Sequence, residues 1–273
     1  MGSGFEGVRQ CGRLFRRLVG SLGLMVCAGT VPLCSQAPIR MQFFEVAPHI
    51  YIDPETGKVT GAVYELLEKH MAPEMGVKFQ WQAVPIPRQM QNYEEKKERR
   101  IGSAWFAYTP ERARMKHMVF TSQVLFPDAP CLAVRKSSKL ASVRSVEDIL
   151  GLTIGYSSVA YLSPFMKDPR IRFDMVPSSN YYPSNFRKLK AGRVDAVYAG
   201  SSAILLYFIR KFEMEDEVRL VLLPEQKTMH YVAFSDDLAD VVASYDRAYR
   251  KLDVPKLYLK LLGRYIDTSR LPK

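Results

Sequence analysis

Residues 145–155, SVEDILGLTIG, decide the fold because they join the start of a helix to the start of a strand. Ser145, with Asp148 three positions further on, resembles the N-terminal capping pair of a short helix. The apolar run 152–156, LTIGY, follows and predicts a buried strand. Ser157 and Ser158 come next, and we expect a second helix to begin there. A helix and a strand that alternate at such short spacing are typical of a sheet covered by helices.

The same alternation extends in both directions from this stretch. Towards the C-terminus we predict strands at 171–176, 194–199 and 218–223, helices at 184–191 and 201–211, and a long amphipathic helix after Ser235. Towards the N-terminus we predict strands at 41–46, 77–83 and 101–107, a helix at 61–72 that Pro73 limits, and a polar helix at 88–100. The chain therefore predicts an α/β fold with mostly parallel sheets.

The composition is that of an ordinary globular protein. The chain has 273 residues, of which 47% are hydrophobic and 25% charged, so it is long enough for two lobes and is not a disordered chain. Its formal net charge is +11, which favours anionic ligands or membrane surfaces as partners. The charged run 94–100, EEKKERR, mixes both signs on a predicted helix and is typical of a solvated helix face. We therefore expect no nucleic-acid partner.

The first 37 residues predict a secretory signal peptide. Arginines between positions 9 and 17 precede an uncharged run at 18–33, which is shorter than the roughly 20 residues that a membrane helix needs and fits the apolar core of a signal. Cleavage could follow Ala37 or Ala28. Two alternatives also stay open: the segment is an uncleaved anchor, or the start codon is wrongly assigned upstream of the true signal. We expect a periplasmic protein. A lipid anchor at Cys27 or Cys34 is disfavoured because neither cysteine follows a small residue.

Motifs of catalysis and cofactor binding are absent from the sequence. It has neither GxGxxG nor GxxxxGK followed by Ser or Thr, the glycine-rich loops that cradle phosphates. The histidines are scattered without HExxH or Cys/His spacing, so we expect no metal site. GYSSVA is not a GxSxG nucleophile elbow. We expect no cofactor and no enzymatic activity.

Several short segments occur together in the order of one known family. PHIYIDPETGKVTG at 48–61 precedes the helix at 62–71, TPER follows at 109–112, and the stretch 145–155 is followed by KAGRVDAV at 190–197. In this order and spacing, residues 40–265 resemble the exported solute-binding proteins of family 3, the amino-acid-type receptors of ABC importers.

The resemblance implies a two-lobed type II periplasmic-binding-protein fold. Each lobe would be a mostly parallel sheet covered by helices, with two crossover strands as the hinge. Lobe 1 would comprise 38–130 and 231–273, lobe 2 would comprise 135–225, and the hinge segments would be 131–136 and 226–235. The cleft between the lobes would close on a ligand by hinge motion.

Arg112 is the principal candidate for binding that ligand. It follows the predicted strand 101–107 at its carboxyl end, where open α/β sheets bind ligands, and its planar guanidinium suits a carboxylate. In the family, the matching arginine holds the ligand α-carboxylate. Thr109 would donate to the same carboxylate, or else cap the helix that begins at Pro110. Ser157 and Ser158 would add an anion site at a helix start, or else only cap that helix.

Aromatic residues would form the walls of the cleft. His49 and Tyr51 occupy the place where the family stacks a ring on the ligand, and Trp105 and Phe106 lie near the other wall. Packing in the core or between the lobes is the alternative for all four.

One departure from the family concerns the ligand ammonium. The aspartate that holds it in the family falls on Gly200, so no carboxylate stands there. A buried ammonium without an anionic partner is costly. A plain α-amino acid is therefore disfavoured as the ligand, unless Glu45 or Glu65 takes over this role.

These expectations combine into a monomeric, exported binding protein. It would capture a small, polar, carboxylate-bearing solute and present it to an ABC permease or a sensor. Two alternatives stay open. One is an enzyme on the same scaffold, a dehydratase or lyase with Glu45 or Glu65 as general acid/base. The other is an accessory protein whose cleft is degenerate and which binds another exported protein.

Overall fold

The computed structural model describes residues 37–272, apart from 159, 161 and 179. Residues 1–36, with most of the predicted signal peptide and with Cys27 and Cys34, lie outside the described residues. In the part of the chain that is described, no helix is both long enough and apolar enough to span a membrane.

Lobe 1 is built on a sheet in which the first described strand of the chain is an interior strand. Parallel neighbours pair with this strand on both sides, and its Ile39, Met41 and Phe43 share one face of the sheet, where they are at most 1% exposed in the hydrophobic core. The elements of this part are, in order, β1 (Ile39–Phe43), β2 (Tyr51–Ile52), β3 (Val59–Thr60), α1 (Ala62–Glu65), a π-helical segment (Leu66–Met71), α2 (Ala72–Met75), β4 (Phe79–Ala83), α3 (Ile86–Glu94), β5 (Ile101–Ala107), α4 (Pro110–Ala113), β6 (Met118–Phe120) and β7 (Phe126–Asp128).

The first helix continues through Pro73, so the prediction that this proline limits it is wrong. α1, the π-helical segment and α2 follow one another without interruption from 62 to 75. Proline lacks an amide hydrogen, and in a regular helix its ring collides with the carbonyl four residues back. The π turns just before Pro73 use longer-range hydrogen bonds and relieve that collision. The helix ends instead at Gly76, whose φ of 67° is left-handed.

Lobe 2 is built on a second sheet, with strand order β10-β9-β11-β8-β12. Its elements are β8 (Cys131–Arg135), a 3₁₀ helix (Val146–Ile149), β9 (Thr153–Ser157), a 3₁₀ helix (Phe165–Lys167), β10 (Arg172–Val176), α5 (Tyr182–Lys190), β11 (Ala196–Ala199), α6 (Ser202–Lys211) and β12 (Val218–Leu222). β9 is parallel to β10 and β11, whereas β8 is antiparallel to β11 and β12. The predicted capping pair of Ser145 and Asp148 is confirmed at the first 3₁₀ helix.

The chain then returns to lobe 1 and completes its sheet. The last elements are β13 (Thr228–Ser235), a 3₁₀ helix (Asp236–Leu238), α7 (Ala239–Lys251), α8 (Val254–Leu262) and a 3₁₀ helix (Thr268–Arg270). β13 lies between β5 and β6, antiparallel to both, and β7 also pairs with it. Both lobes therefore carry a core of parallel strands with antiparallel strands added.

The two passages between the sheets lie at 129–130 and at 223–227. β8 pairs along its whole length with strands of lobe 2, and β13 pairs with strands of lobe 1. The segments 131–136 and 226–235, which we expected to form the hinge, are therefore mostly strands inside one lobe or the other. The short connections before β8 and before β13 are joined by a hydrogen bond of 3.1 Å from the amide of Leu223 to the carbonyl of Pro130.

Candidate binding site between the lobes

A cavity of about 120 Å³ lies between the two sheets and takes its lining from both lobes. From lobe 1 come Glu45, Trp105, Arg112 and His230, together with apolar side chains such as Phe44 and Ile86. From lobe 2 come four tyrosines, Tyr156, Tyr181, Tyr182 and Tyr198, together with Gly200 and Ser201. Both charged side chains of the lining, Glu45 and Arg112, thus lie on the lobe 1 side, and tyrosines dominate the lobe 2 side.

Arg112 lines this cavity, and the local structure orients its side chain. Its guanidinium donates a hydrogen bond of 2.9 Å from Nη1 to the carbonyl of Ala107, the last residue of β5. The guanidinium carbon also lies 4.8 Å from the ring centre of Phe106. These contacts hold a planar cation at the carboxyl end of a parallel strand. A guanidinium in this position is suited to a carboxylate or another planar anion.

Thr109 caps the short helix that carries Arg112. Its Oγ1 accepts a hydrogen bond of 3.2 Å from the amide of Arg112, and its side chain is buried. It is not among the residues that line the cavity. Of the two roles considered for Thr109, the structure therefore displays the cap.

Ser157 and Ser158 do not begin a helix, so that prediction is wrong. Ser157 is the last residue of β9 and donates from Oγ to the carbonyl of Ser178 at 2.8 Å. The amide of Ser158 donates to the carbonyl of Val176 at 3.2 Å, which extends the pairing of β9 with β10. Because the strand pairing occupies this amide, the anion site expected at a helix start does not form at these serines.

Trp105 lies between two imidazole rings in a column of stacked rings. Its ring centre is 3.9 Å from that of His49 and 4.1 Å from that of His230, with interplanar angles of 17° and 15°. Trp105 and His230 line the cavity, but His49 is completely buried on the far side. The expectation that His49 stacks on a ligand is therefore wrong, because Trp105 occupies its open face.

Burial keeps both imidazoles of this column neutral. Desolvation lowers the pKa of His230 to about 3 and lowers the pKa of His49 well below its usual value. His49 also makes side-chain hydrogen bonds through both ring nitrogens, to the hydroxyl of Tyr258 at 2.5 Å and to Oγ of Ser201 at 3.2 Å. The wall of the cavity formed by Trp105 and His230 is therefore uncharged, and Arg112 is the cation beside it.

Asp128 joins the lobes just behind the cavity, and no local sequence pattern indicates this role. Its buried carboxylate accepts hydrogen bonds from the amide of Ser202 at 2.9 Å, from the hydroxyl of Ser202 at 2.5 Å and from the hydroxyl of Ser201. Ser202 is the first residue of α6 in lobe 2, whereas Asp128 ends β7 in lobe 1. The carboxylate thus caps a helix that belongs to the other lobe.

The tyrosines of lobe 2 form one packed wall. Tyr156 lies opposite Tyr198 on neighbouring strands, and their ring centres are 4.8 Å apart. Tyr181 packs on Tyr156 at 5.3 Å and on Tyr182 at 4.2 Å, and its hydroxyl donates to that of Tyr182 at 2.8 Å. Sequence reasoning missed this wall. The available signal was that Tyr156 and Tyr198 both stand near the carboxyl ends of predicted strands, where α/β proteins bind ligands.

Tyr51 and Glu65 lie away from the cavity. Tyr51 packs against Tyr207 of lobe 2 at 5.8 Å and lines a second groove between the lobes, which shares Glu45 and Tyr182 with the cavity but does not include Arg112. Glu65 pairs with Lys69 and with Arg264, and it accepts a hydrogen bond from Tyr265 at 2.7 Å. Because these partners hold Glu65 on another face of lobe 1, it does not serve as an anionic group of the cavity.

Glu45 and Gly200 both line the cavity. A carboxylate oxygen of Glu45 accepts a hydrogen bond of 3.4 Å from the amide of Ile52. An added Cβ at Gly200 would meet only Oγ1 of Thr228, at 3.9 Å, so the glycine leaves open space there. Asp195 accepts a hydrogen bond of 2.8 Å from the amide of Thr153 and pairs with Arg135.

Side chains that could ligate a metal ion are scattered in the described part of the chain. No group of three or more His, Cys, Asp or Glu side chains is placed there to hold a metal ion. Arg112 and Glu45 are the two charged side chains among the described residues that line the cavity. The site can therefore bind a small molecule through one cation, one anion, hydroxyl groups and aromatic surfaces.

Comparison with solved structures identifies the fold. An amino acid ABC transporter substrate-binding protein from Streptococcus pneumoniae, bound to L-arginine, superposes with a TM-score of 0.68 at 20% identity, over 87% of this chain and 98% of that one. A mutant of the arginine-binding protein of T. maritima superposes with a TM-score of 0.66 at 20% identity, over 85% of this chain and 96% of that one. The periplasmic VFT2 domain of Bordetella pertussis BvgS superposes with a TM-score of 0.65 at 11% identity, over 83% of this chain and 92% of that one.

No family model and no curated protein matches the chain. The structural matches nevertheless show that the chain has the two-lobed fold of type II periplasmic binding proteins, also called the Venus flytrap fold. The fold predicted from the sequence resemblance is confirmed.

Proposed function

We propose that this chain is an exported, non-enzymatic substrate-binding protein that captures a small carboxylate-bearing solute between its lobes. The observation that carries the proposal is the guanidinium of Arg112 at a cavity to which both lobes contribute. A carboxylate bound there would gain charge-assisted hydrogen bonds in a site largely shielded from water. Solved proteins of the same fold support this role, because two of them are named for binding arginine or amino acids.

Binding and closure would be linked in this protein. A solute that touches Arg112 in lobe 1 and the tyrosines in lobe 2 binds best when the lobes are close together, so it shifts the population towards the closed form. The short passages at 129–130 and 223–227 would absorb the motion. We propose that an inner-membrane ABC permease or a sensor protein in the periplasm recognises the closed form, and that the protein acts as a monomer.

The geometry does not favour the enzyme or the accessory protein over this role. Glu65, one of two carboxylates considered for catalysis, is engaged in ion pairs outside the cavity. Glu45 remains at the cavity, so turnover that disappears in Glu45→Gln would identify an enzyme. A protein partner that binds equally well whatever solute is present would identify an accessory protein.

Thermal unfolding and small-angle X-ray scattering with a panel of small carboxylates test the proposed function. A captured solute should raise the melting temperature and reduce the radius of gyration, and both effects should be lost in Arg112→Ala. Arg114→Ala is the matched control, because Arg114 is an exposed arginine two positions away. A panel that leaves both quantities unchanged would contradict the proposal.

A further inference from the structure

We infer that the solute is an aromatic carboxylate, whose carboxylate lies on Arg112 and whose ring packs on the tyrosine wall of lobe 2. This inference rests on the proposed function and narrows its substrate class. It comes from the chemistry of the two walls, from the packing of the tyrosines and from the size of the cavity.

The lobe 2 wall is aromatic and carries no charge among the residues that the structure describes there. Tyr156, Tyr181, Tyr182 and Tyr198 supply it, and Ser201 adds a hydroxyl that already donates to Asp128. Burial raises the pKa of Tyr181, Tyr182 and Tyr198, so these phenols stay neutral. A cationic end of a solute would find no anion on this wall, and burying a charge without one is costly.

The tyrosine rings are in contact with one another, which argues against a cage for a cation. Their centres are 4.2 to 5.3 Å apart in the successive pairs Tyr181–Tyr182, Tyr156–Tyr198 and Tyr156–Tyr181. Rings that enclose a cation surround it on several sides, whereas these rings pack on one another in a single wall. A continuous aromatic wall instead suits another aromatic ring, in a stacked or edge-to-face contact.

The size of the cavity fits one ring. Its volume of about 120 Å³ is close to that of the roughly 150 Å³ apolar cavity known to bind benzene. Trp105 and His230 line the opposite side; because His49 and His230 cover the two faces of Trp105, only the edge of its ring is left for an edge-to-face contact with a bound ring. Arg112 then lies where a carboxylate attached to such a ring can reach it.

Titration calorimetry on the full chain tests this inference, after denaturation and refolding have removed any solute carried through purification. The panel is benzoate and phenylacetate, their saturated counterpart cyclohexanecarboxylate, acetate, L-phenylalanine, L-arginine and L-glutamine. We expect the aromatic carboxylates to bind about three- to tenfold more tightly than the saturated ring. The affinity for the aromatic carboxylates should also exceed that for L-arginine by about tenfold or more, because the lobe 2 wall has no anion to pair with the arginine side chain.

Two pairs of variants locate the aromatic preference. Tyr181→Leu and Tyr198→Leu should lose it, whereas Tyr181→Phe and Tyr198→Phe keep the rings and should retain it. The wild-type panel decides the question even if a leucine variant fails to fold. If L-phenylalanine binds more tightly than phenylacetate, and if Glu45→Gln removes this difference, then Glu45 holds the ammonium of the solute. This result would still support an aromatic carboxylate as the solute.

The two proposals fail in different ways. If L-arginine or L-glutamine binds more tightly than every aromatic acid, and if this binding depends on Arg112, then the solute is not an aromatic carboxylate. The proposed function would still hold in that case. Equal affinity for benzoate and cyclohexanecarboxylate would also overturn the aromatic class. No binding by any member of the panel would count against the proposed function itself.

Discussion

The carboxylate of Asp128 at the end of β7 accepts a hydrogen bond of 2.9 Å from the amide of Ser202 at the start of α6. Asp128 belongs to lobe 1 and Ser202 to lobe 2, and only the connection 129–130 separates Asp128 from the first strand of lobe 2. Ser201, which precedes α6, also donates to Asp128 and meets His49 of lobe 1 at 3.2 Å. A buried polar network thus fixes the first turn of α6 directly beside the cavity.

Removing the carboxylate of Asp128 should destabilise the protein strongly. Asp128→Ala leaves the buried amide and hydroxyl of Ser202 without their acceptor, which should lower the free energy of unfolding by about 2–4 kcal/mol. Asp128→Asn keeps one acceptor oxygen and should cost less. Urea denaturation followed by circular dichroism measures both variants. An alanine variant as stable as the wild type would show that this network contributes nothing to stability.

The stability of the protein should fall as the pH is lowered below about 6.5. In the unfolded chain the imidazole of His230 has a pKa near 6.5, whereas burial lowers its pKa to about 3 in the folded protein. Between these values the unfolded state binds more protons, so the free energy of unfolding decreases as the pH falls. Each such histidine contributes a slope of about 1.4 kcal/mol per pH unit, and His49, whose pKa is lowered in the same direction, adds to it.

Urea denaturation at pH 7, 6 and 5 measures this slope. His230→Gln should reduce it by about 1.4 kcal/mol per pH unit, because glutamine does not titrate. The same substitution at the partly exposed His70 shows how much of the change follows from losing any imidazole. A slope that His230→Gln leaves intact would contradict the burial of a neutral imidazole at this position.

Gly200→Ala should fold well but bind poorly. The added methyl group meets only Oγ1 of Thr228, at 3.9 Å, and the backbone of Gly200 lies outside the left-handed region. The free energy of unfolding should therefore change by less than about 1 kcal/mol. Because Gly200 lines the cavity, the methyl group takes up space in it and should lower the affinity for benzoate.

Gly61→Ala is the matched comparison for that substitution. Gly61 has a φ of 116°, and a Cβ there would lie 2.4 Å from the carbonyl oxygen of His49. This variant should lose about 2 kcal/mol or more of stability. If Gly200→Ala were as destabilising as Gly61→Ala in the same urea titration, the open space at Gly200 would be refuted.

Local patterns in the sequence were sufficient to predict most of the elements of the fold. The run Ile101–Ala107 forms a strand with the predicted bounds, because its continuous apolar sequence is buried on both faces. Gly192 ends the preceding helix with a left-handed φ of 72°, as glycine after a helix commonly does. Ser157 and Ser158 misled because hydroxyl residues follow strands as readily as they cap helices, and pairing with β10 decided between the two.

Site residues could be predicted from the sequence where a single residue acts alone. They could not be predicted where residues far apart in the sequence combine. Arg112 could be placed from its position after a strand, and it lines the cavity. His49 was misassigned because the covering Trp105 lies 56 positions away in the sequence. The wall of Tyr156, Tyr181 and Tyr198 depends on how β9, α5 and β11 pack, which no local pattern reports.

The most direct test of the account is the affinity for benzoate in three proteins, measured by titration calorimetry at one pH and salt concentration. Wild type and Arg114→Ala should bind it equally well. Arg112→Ala should bind at least about tenfold more weakly, because a buried carboxylate loses its cationic partner. Equal affinity in Arg112→Ala and wild type would contradict the claim that Arg112 holds the carboxylate of a solute between the lobes.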